Sequence, residues 1–161
     1  MVEEGGKPVI MVAVDDSSHS NYALEWTLDY FCAPFAPNYP FKLMLIHARP
    51  SLIPFAGPGS PDTVALAVQE MERKKKAEKV TDKAVEICSK RSVNDVAVQV
   101  MDGDPRNVMT EAVDKFHPAI LVLGSHGYGA IKRAVLGSVS DYCAHHCSCT
   151  VMIVKKPKSK H

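Results

Sequence analysis

Residues 9–14 read Val-Ile-Met-Val-Ala-Val, an unbroken apolar run rich in β-branched side chains. A strand with one wet face alternates apolar and polar residues. A run without alternation fits a strand buried on both faces, the habit of parallel sheets covered by helices above and below. The run ends in Asp15-Asp16-Ser17-Ser18, a cluster rich in helix-capping side chains. Ala23, Leu24, Thr27, Leu28 and Phe31 then recur at helical spacing.

The same alternation continues along the chain. Residues 41–47 form a second apolar run closed by Arg49-Pro50, and residues 50–61 carry four prolines and two glycines, which reads as a loop. Ser60-Pro61 places a capping serine before a proline suited to the first helical position. From residue 62 to about 91 there is no proline or glycine. Leu66, Met71, Ala77, Val80, Ala84 and Ile87 recur there, giving one long helix or two joined by a slight break. Residues 96–101 form a third strand-like run. Asp104-Pro105 opens a helix that runs to His117, where Pro118 stops it. Residues 119–123 form a fourth strand, followed by a glycine-rich stretch and a helix through Val139 to Cys147; residues 151–154 form a fifth strand.

The order β-α-β-α-β-α-β-α-β predicts an α/β fold, a doubly wound five-stranded parallel sheet with helices on both faces. One domain over residues 1–161 suits the length, with residues 1–6 and 156–161 expected as flexible termini. Sheets of this kind bind ligands outside the carboxyl ends of their strands, where the strand order reverses. If strands one and four flank that reversal, Asp15 and Gly124 face one crevice.

A net charge of +1 gives no global field for nucleic acid. The basic runs at residues 73–76 and 155–160 read as a solvated helix face and a frayed tail. No apolar stretch is long enough to span a bilayer, and the acidic N-terminus lacks the basic-then-apolar pattern of a signal peptide. Five cysteines, an odd number, fit a disulfide framework poorly. The expectation is a cytoplasmic chain with reduced thiols and no membrane or nucleic-acid partner, nuclear entry left open.

The fourth strand leads into Gly124-Ser125-His126-Gly127-Tyr128-Gly129, and thirteen residues after Gly124 comes Gly137-Ser138-Val139-Ser140. Glycines let the main chain approach a ligand closely, and N–H groups at a helix start cradle phosphate. Ser138 and Ser140 offer hydroxyls near that helix start, and Lys132 and Arg133 either add charge or point into solvent. On local chemistry two readings stand, a phosphate cradle or a connection that needs glycine only for turns. The stretch is not a Walker loop, since no Gly-x4-Gly-Lys-Ser/Thr occurs. It is not a dinucleotide fingerprint either, because it follows the fourth strand rather than the first.

The spacing Gly124-x2-Gly127-x9-Gly137-Ser138 resembles the Gly-2x-Gly-9x-Gly-(Ser/Thr) motif of the nucleotide-binding universal stress proteins. The resemblance runs from the opening Val-Ile-Met-Val-Ala-Val-Asp-Asp-Ser to the closing Cys-Thr-Val-Met-Ile-Val. The phrase Val-Leu-Gly-Ser-Val-Ser-Asp-Tyr-Cys-Ala-His-His looks like plant members. The resemblance implies strand order 3-2-1-4-5, and ATP or AMP as bound ligand, with or without magnesium. It places nucleoside contacts at Ala13, Val14 and Asp15, and a main-chain contact to adenine at Ala48. Leu123, Gly124, Ser125, His126, Gly127, Arg133, Gly137, Ser138, Val139 and Ser140 would hold ribose and phosphates. Ala13 stands where some relatives carry proline, and Tyr128 where some carry lysine. A homodimer through the fifth strand (Val151, Met152, Ile153, Val154) is also implied; left bare, that strand is an apolar edge.

Other side chains have two readings each. Asp15 needs ribose hydroxyls, a metal or backbone donors; alternatively Asp15 or Asp16 caps the next helix. Cys143, His146, Cys147 and Cys149 suggest metal ligands, but without a second distant pair they read as small thiols packed on the sheet. His126 has no oriented nucleophile beside it, so no catalytic residue is assigned, and His47 reads as a packed or hydrogen-bonded core histidine. The function expected is an adenine-nucleotide-binding regulatory module in stress response or signalling, with an unknown protein partner. The alternatives are a slow ATPase or phosphotransferase, and a stress-induced chaperone or interaction protein.

Overall fold

The computed structural model describes residues 6–51, 62–126 and 136–157. Strands β1 (Val9–Ala13), β2 (Lys42–Arg49), β3 (Val96–Asp102), β4 (Ile120–Gly124) and β5 (Thr150–Val154) alternate with helices. The helices are α1 (Ser18–Thr27), α2 (Thr63–Lys90), α3 (Pro105–Phe116) and α4 (Ser138–His146). The strands form one sheet in the order β3-β2-β1-β4-β5, and all four pairings are parallel. β1 lies at the centre, with Val12 opposite Leu45 on β2 and opposite Val122 on β4.

Alternate side chains of β1 feed two cores, as the unbroken apolar run requires. Ile10 and Val12 join Leu24 and Leu28 from the α1 side, Leu45, and Ala84 and Cys88 of α2. Met11 joins Ile46, Leu121, Val108, Met109 and Val113 of α3, and Cys143 of α4. Helices α1 and α2 therefore cover one face, and α3 and α4 the other.

Local chemistry sets the helix ends. Ser17, Asp62 and Asp104 cap α1, α2 and α3 by accepting the N–H of Ser20, Ala65 and Arg106. The cap of α2 thus falls on Asp62; the Ser60-Pro61 signal lies outside the described residues. α2 is one continuous helix, which decides between the two sequence readings. α3 ends at His117, which takes the left-handed conformation and bonds back to the Val113 carbonyl before Pro118. The apolar recurrence from Ala23 to Phe31 is not all α-helix. After Thr27 the chain widens into a π-turn over Leu28–Cys32 and then a 3-10 turn over Ala33–Phe35, because Pro34 has no N–H with which to continue the ladder.

No helix among the described residues is long and apolar enough to cross a membrane. Gly6 and residues 156 and 157 are described; the rest of both expected flexible termini is outside the described residues.

The two-core arrangement predicts where truncation hurts. Leu45 is fully buried on β2, whereas Met71 on α2 is 59% exposed. Leu45→Ala is expected to destabilise the fold by about 2–5 kcal/mol in urea denaturation. Met71→Ala should change stability by no more than about 0.5 kcal/mol.

Candidate functional site

β1 and β4 are neighbours, so the turns leaving their carboxyl ends share one edge of the sheet. The order reverses between them, since β2 and β3 lie to one side of β1 and β5 lies beyond β4. Both halves of the crevice are built from backbone–backbone and backbone-to-side-chain bonds.

On the β1 side, Val14 donates its N–H to the Ile46 carbonyl at 2.9 Å, and its own carbonyl accepts from His47 Nδ1 at 2.8 Å. That bond requires the Nδ1–H form of His47, which accounts for this half-buried histidine as the brace that holds the end of β1. Asp15 Oδ1 accepts the Ser17 N–H at 2.7 Å, and the Asp15 N–H donates to Ser20 Oγ at 2.9 Å. The helix cap is Ser17, so Asp15 does not cap α1 itself. It supports the capping residue and keeps a half-exposed carboxylate at the crevice.

On the β4 side, Gly124 is the last strand residue. A Cβ there would lie 2.8 Å from both the carbonyl carbon and oxygen of His19. Only glycine lets the first turn of α1 lie this close to β4. Ser125, buried, donates its N–H to the Val154 carbonyl at 3.1 Å, and its carbonyl accepts the Gly137 N–H at 2.6 Å. The Ser140 hydroxyl lies 3.0 Å from the same carbonyl and 3.1 Å from the Gly137 carbonyl. Ser125 thus ties the end of β4 to the start of α4, although eleven residues separate Ser125 from Gly137. Ser140 spends its hydroxyl proton inside this tie, while Ser138 is exposed.

Helix α4 has Gly137 as its N-cap, with no side-chain cap bond. Asp141 is the first residue whose N–H reaches back to the Gly137 carbonyl. The N–H groups of Ser138, Val139 and Ser140 have no intrahelical carbonyl to meet, and the helix dipole adds partial positive charge there. Ala13, Leu123 and Val139 line the same end of the sheet, with Leu123 buried; Ala48 sits near the end of β2, paired with Met101. Gly127 and Arg133, together with Tyr128, Gly129 and Lys132, lie outside the described residues.

His19 has no counterpart in the sequence reading. Its ring stands 5.2 Å from that of His126, edge to face at 70°. Burial holds its imidazole below the ordinary histidine value, reinforced by His126 and Lys156 and opposed by Asp15. The signal that would have found it is the strand order, which sets the first turn of α1 against the β4 loop.

No group of three or more His, Cys, Asp or Glu residues suited to a metal occurs among the described residues. The thiols pack as small apolar groups: burial pushes Cys88 up to about 12 and raises Cys143 still further. A cavity of about 340 Å³ lined by Lys7, Cys32, Tyr39 and Phe41 opens at the other end of the sheet, away from this crevice.

A sequence model described as the universal stress protein family matches residues 8–155. The chain is similar to Universal stress protein PHOS32 of Arabidopsis thaliana, 27% identical over 97% of this chain and 68% of that protein. It is 29% identical to Universal stress protein PHOS34 of the same plant over 97% of its own length. It spans 65% of that relative, so both relatives are about half as long again as this chain. A crystal structure of a universal stress protein family protein from Arabidopsis thaliana with AMP bound superposes with a TM-score of 0.67. The two are 26% identical, with 93% of this chain and 92% of that one covered.

The contact at Gly124 gives a direct test of the geometry. Gly124→Ala forces the α1 backbone away from β4 and is expected to cost about 1–3 kcal/mol in urea denaturation. Wild-type stability in that variant would contradict the close approach.

Proposed function

This chain belongs to the universal stress protein family, and on that premise we propose that it binds an adenine nucleotide, ATP or AMP, in the crevice between β1 and β4. The observation that carries the reading is the meeting of three features at one sheet end: Asp15, the Gly124 close approach, and the uncapped start of α4 tied to Ser125. The AMP bound to the Arabidopsis structure agrees with it.

The chemistry divides along the crevice. The Asp15 carboxylate, with one oxygen taken by Ser17, keeps acceptor capacity for ribose hydroxyls. The main chain at Ala48, near the end of β2, is where an adenine edge would be read, with Val14 packing against the nucleoside. The first-turn N–H groups of α4, with the Gly124–Gly127 stretch, suit phosphate oxygens. The Val14 and Ser125 carbonyls are already satisfied from inside the protein, so the walls are set before a ligand arrives. A magnesium ion accompanying ATP would find Asp15 as its protein neighbour.

Among the described residues, the site suits holding a nucleotide better than turning it over. Fast phosphoryl transfer wants a dedicated lysine, paired metal ligands and a positioned base. The reading is therefore a regulatory module in a cytoplasmic or nuclear stress pathway, whose nucleotide state is passed to a protein partner. The half-buried residues Val151, Met152 and Ile153 on β5 make the sheet edge at which two copies would pair.

Calorimetry with ATP and AMP on the wild-type chain and on Gly127→Val tests this. Wild-type binding that the variant loses is the expected result. No wild-type binding ends the reading, and equal binding by both proteins moves the site away from the glycine loop. Hydrolysis of labelled ATP should stay below about 1 per second, the low end of ordinary enzyme rates; faster turnover would make the chain an enzyme.

A further inference from the structure

His19 and His126 come from different parts of the chain, the first turn of α1 and the loop after β4. Their rings meet at 5.2 Å. The Nδ1 atom of each is shielded from solvent and has no hydrogen-bond partner among the described residues. An unpartnered buried ring nitrogen costs a fold free energy, and two of them, on rings 5.2 Å apart at the carboxyl end of β1 and β4, mark a place where polar atoms are to be met.

The charges around the pair decide the sign of what it meets. Lys156, just past β5, adds positive charge that acts on His19, and Asp15, just past β1, supplies the opposing negative charge. His126 is the other titratable neighbour. A cation would be repelled by Lys156 and by either imidazole once protonated. A phosphate is an acceptor of several N–H bonds, and two imidazoles with a lysine supply donors only when the rings hold their protons toward it.

We propose that His19 contacts the phosphate of the bound nucleotide, and that the His19–His126 pair, backed by Lys156, takes up a proton from solvent as it does so. The inference rests on the nucleotide reading above and adds to it a residue and a proton linkage. In the free protein, burial, His126 and Lys156 together hold the His19 imidazole below the ordinary histidine value, against the opposing pull of Asp15. A phosphate dianion reverses that balance and favours the imidazolium. Since the complex then holds more protons than the free protein, affinity rises as pH falls through the range in which the bound form is protonated and the free form is not. Adenosine, which has no phosphate, gains nothing from this linkage.

The test is calorimetry of adenosine and AMP on the full chain between about pH 6 and about pH 8, the range in which histidine titrates. Wild type is compared with His19→Gln and His126→Gln. The AMP phosphate titrates equally with each protein, so the difference between proteins isolates the histidines. For AMP, the wild type should gain about threefold to tenfold more affinity on acidification than His19→Gln does, a tenfold gain being what one pKa unit supplies. Adenosine affinity should be alike in both proteins at every pH. The NMR titration of the His19 ring in the wild type is the second readout, and saturating AMP should raise its pKa by about one unit. A His19 titration unmoved by AMP, or the same pH dependence in His19→Gln as in wild type, overturns the proton linkage while leaving nucleotide binding intact. No binding of either ligand at any pH removes both readings together.

Discussion

Parallel pairing of β1 with β4 governs what this molecule can do. The two strands are far apart in sequence, yet Met11 lies opposite Leu121 and both are completely buried. Once they are in register, their carboxyl ends release two turns at one point of the sheet, and the helices that follow must share space. The absent side chain at Gly124 is what makes the sharing possible, because the α1 backbone occupies the volume a Cβ would need. Apolar burial, the dominant driving force of folding, thus also sets the position of every polar group in the crevice.

Those polar groups are arranged by short local bonds rather than by long-range charge pairs. Asp15, Ser17 and Ser20 brace one another within a single turn, and His47 fixes the Val14 carbonyl, just past β1, from the neighbouring strand. Ser125 does the equivalent on the other side, gathering Val154, Gly137 and Ser140 around its own N–H and carbonyl. A site made this way resists salt, since exposed ion pairs are the interactions that screening weakens. The exposed pairs that do occur, such as Arg49 with Asp102, lie at the β2–β3 side and stitch neighbouring strands.

Legibility in the sequence followed the physics. The central strand was readable because burial on both faces leaves no room for a polar residue. The same rule could not fully separate a centre from an edge: apart from Gln99 the β3 run of residues 96–101 is apolar, yet Val98 and Val100 are substantially exposed. Caps at Ser17 and Asp104 follow local rules and were close to hand in the sequence, whereas those of α2 and α4 fall on Asp62 and Gly137. The π-turn over Leu28–Cys32 was not, since its residues keep an apolar recurrence and differ only in a wider hydrogen-bond step. Asp15 and Gly124 stood out by residue type and position. His19 stayed hidden, because its meaning comes from a partner in the loop after a distant strand and from an order of strands that local pattern does not contain.

The central claim is that a nucleotide occupies the carboxyl edge of the sheet between β1 and β4. Hydrogen–deuterium exchange with and without saturating AMP measures this most directly. The account predicts slower exchange in peptides covering residues 13–20, 123–126 and 137–140, with β3 and the Lys7–Tyr39 end of the sheet unchanged. Protection at the Lys7–Tyr39 end, or none at residues 13–20 and 137–140, would contradict it.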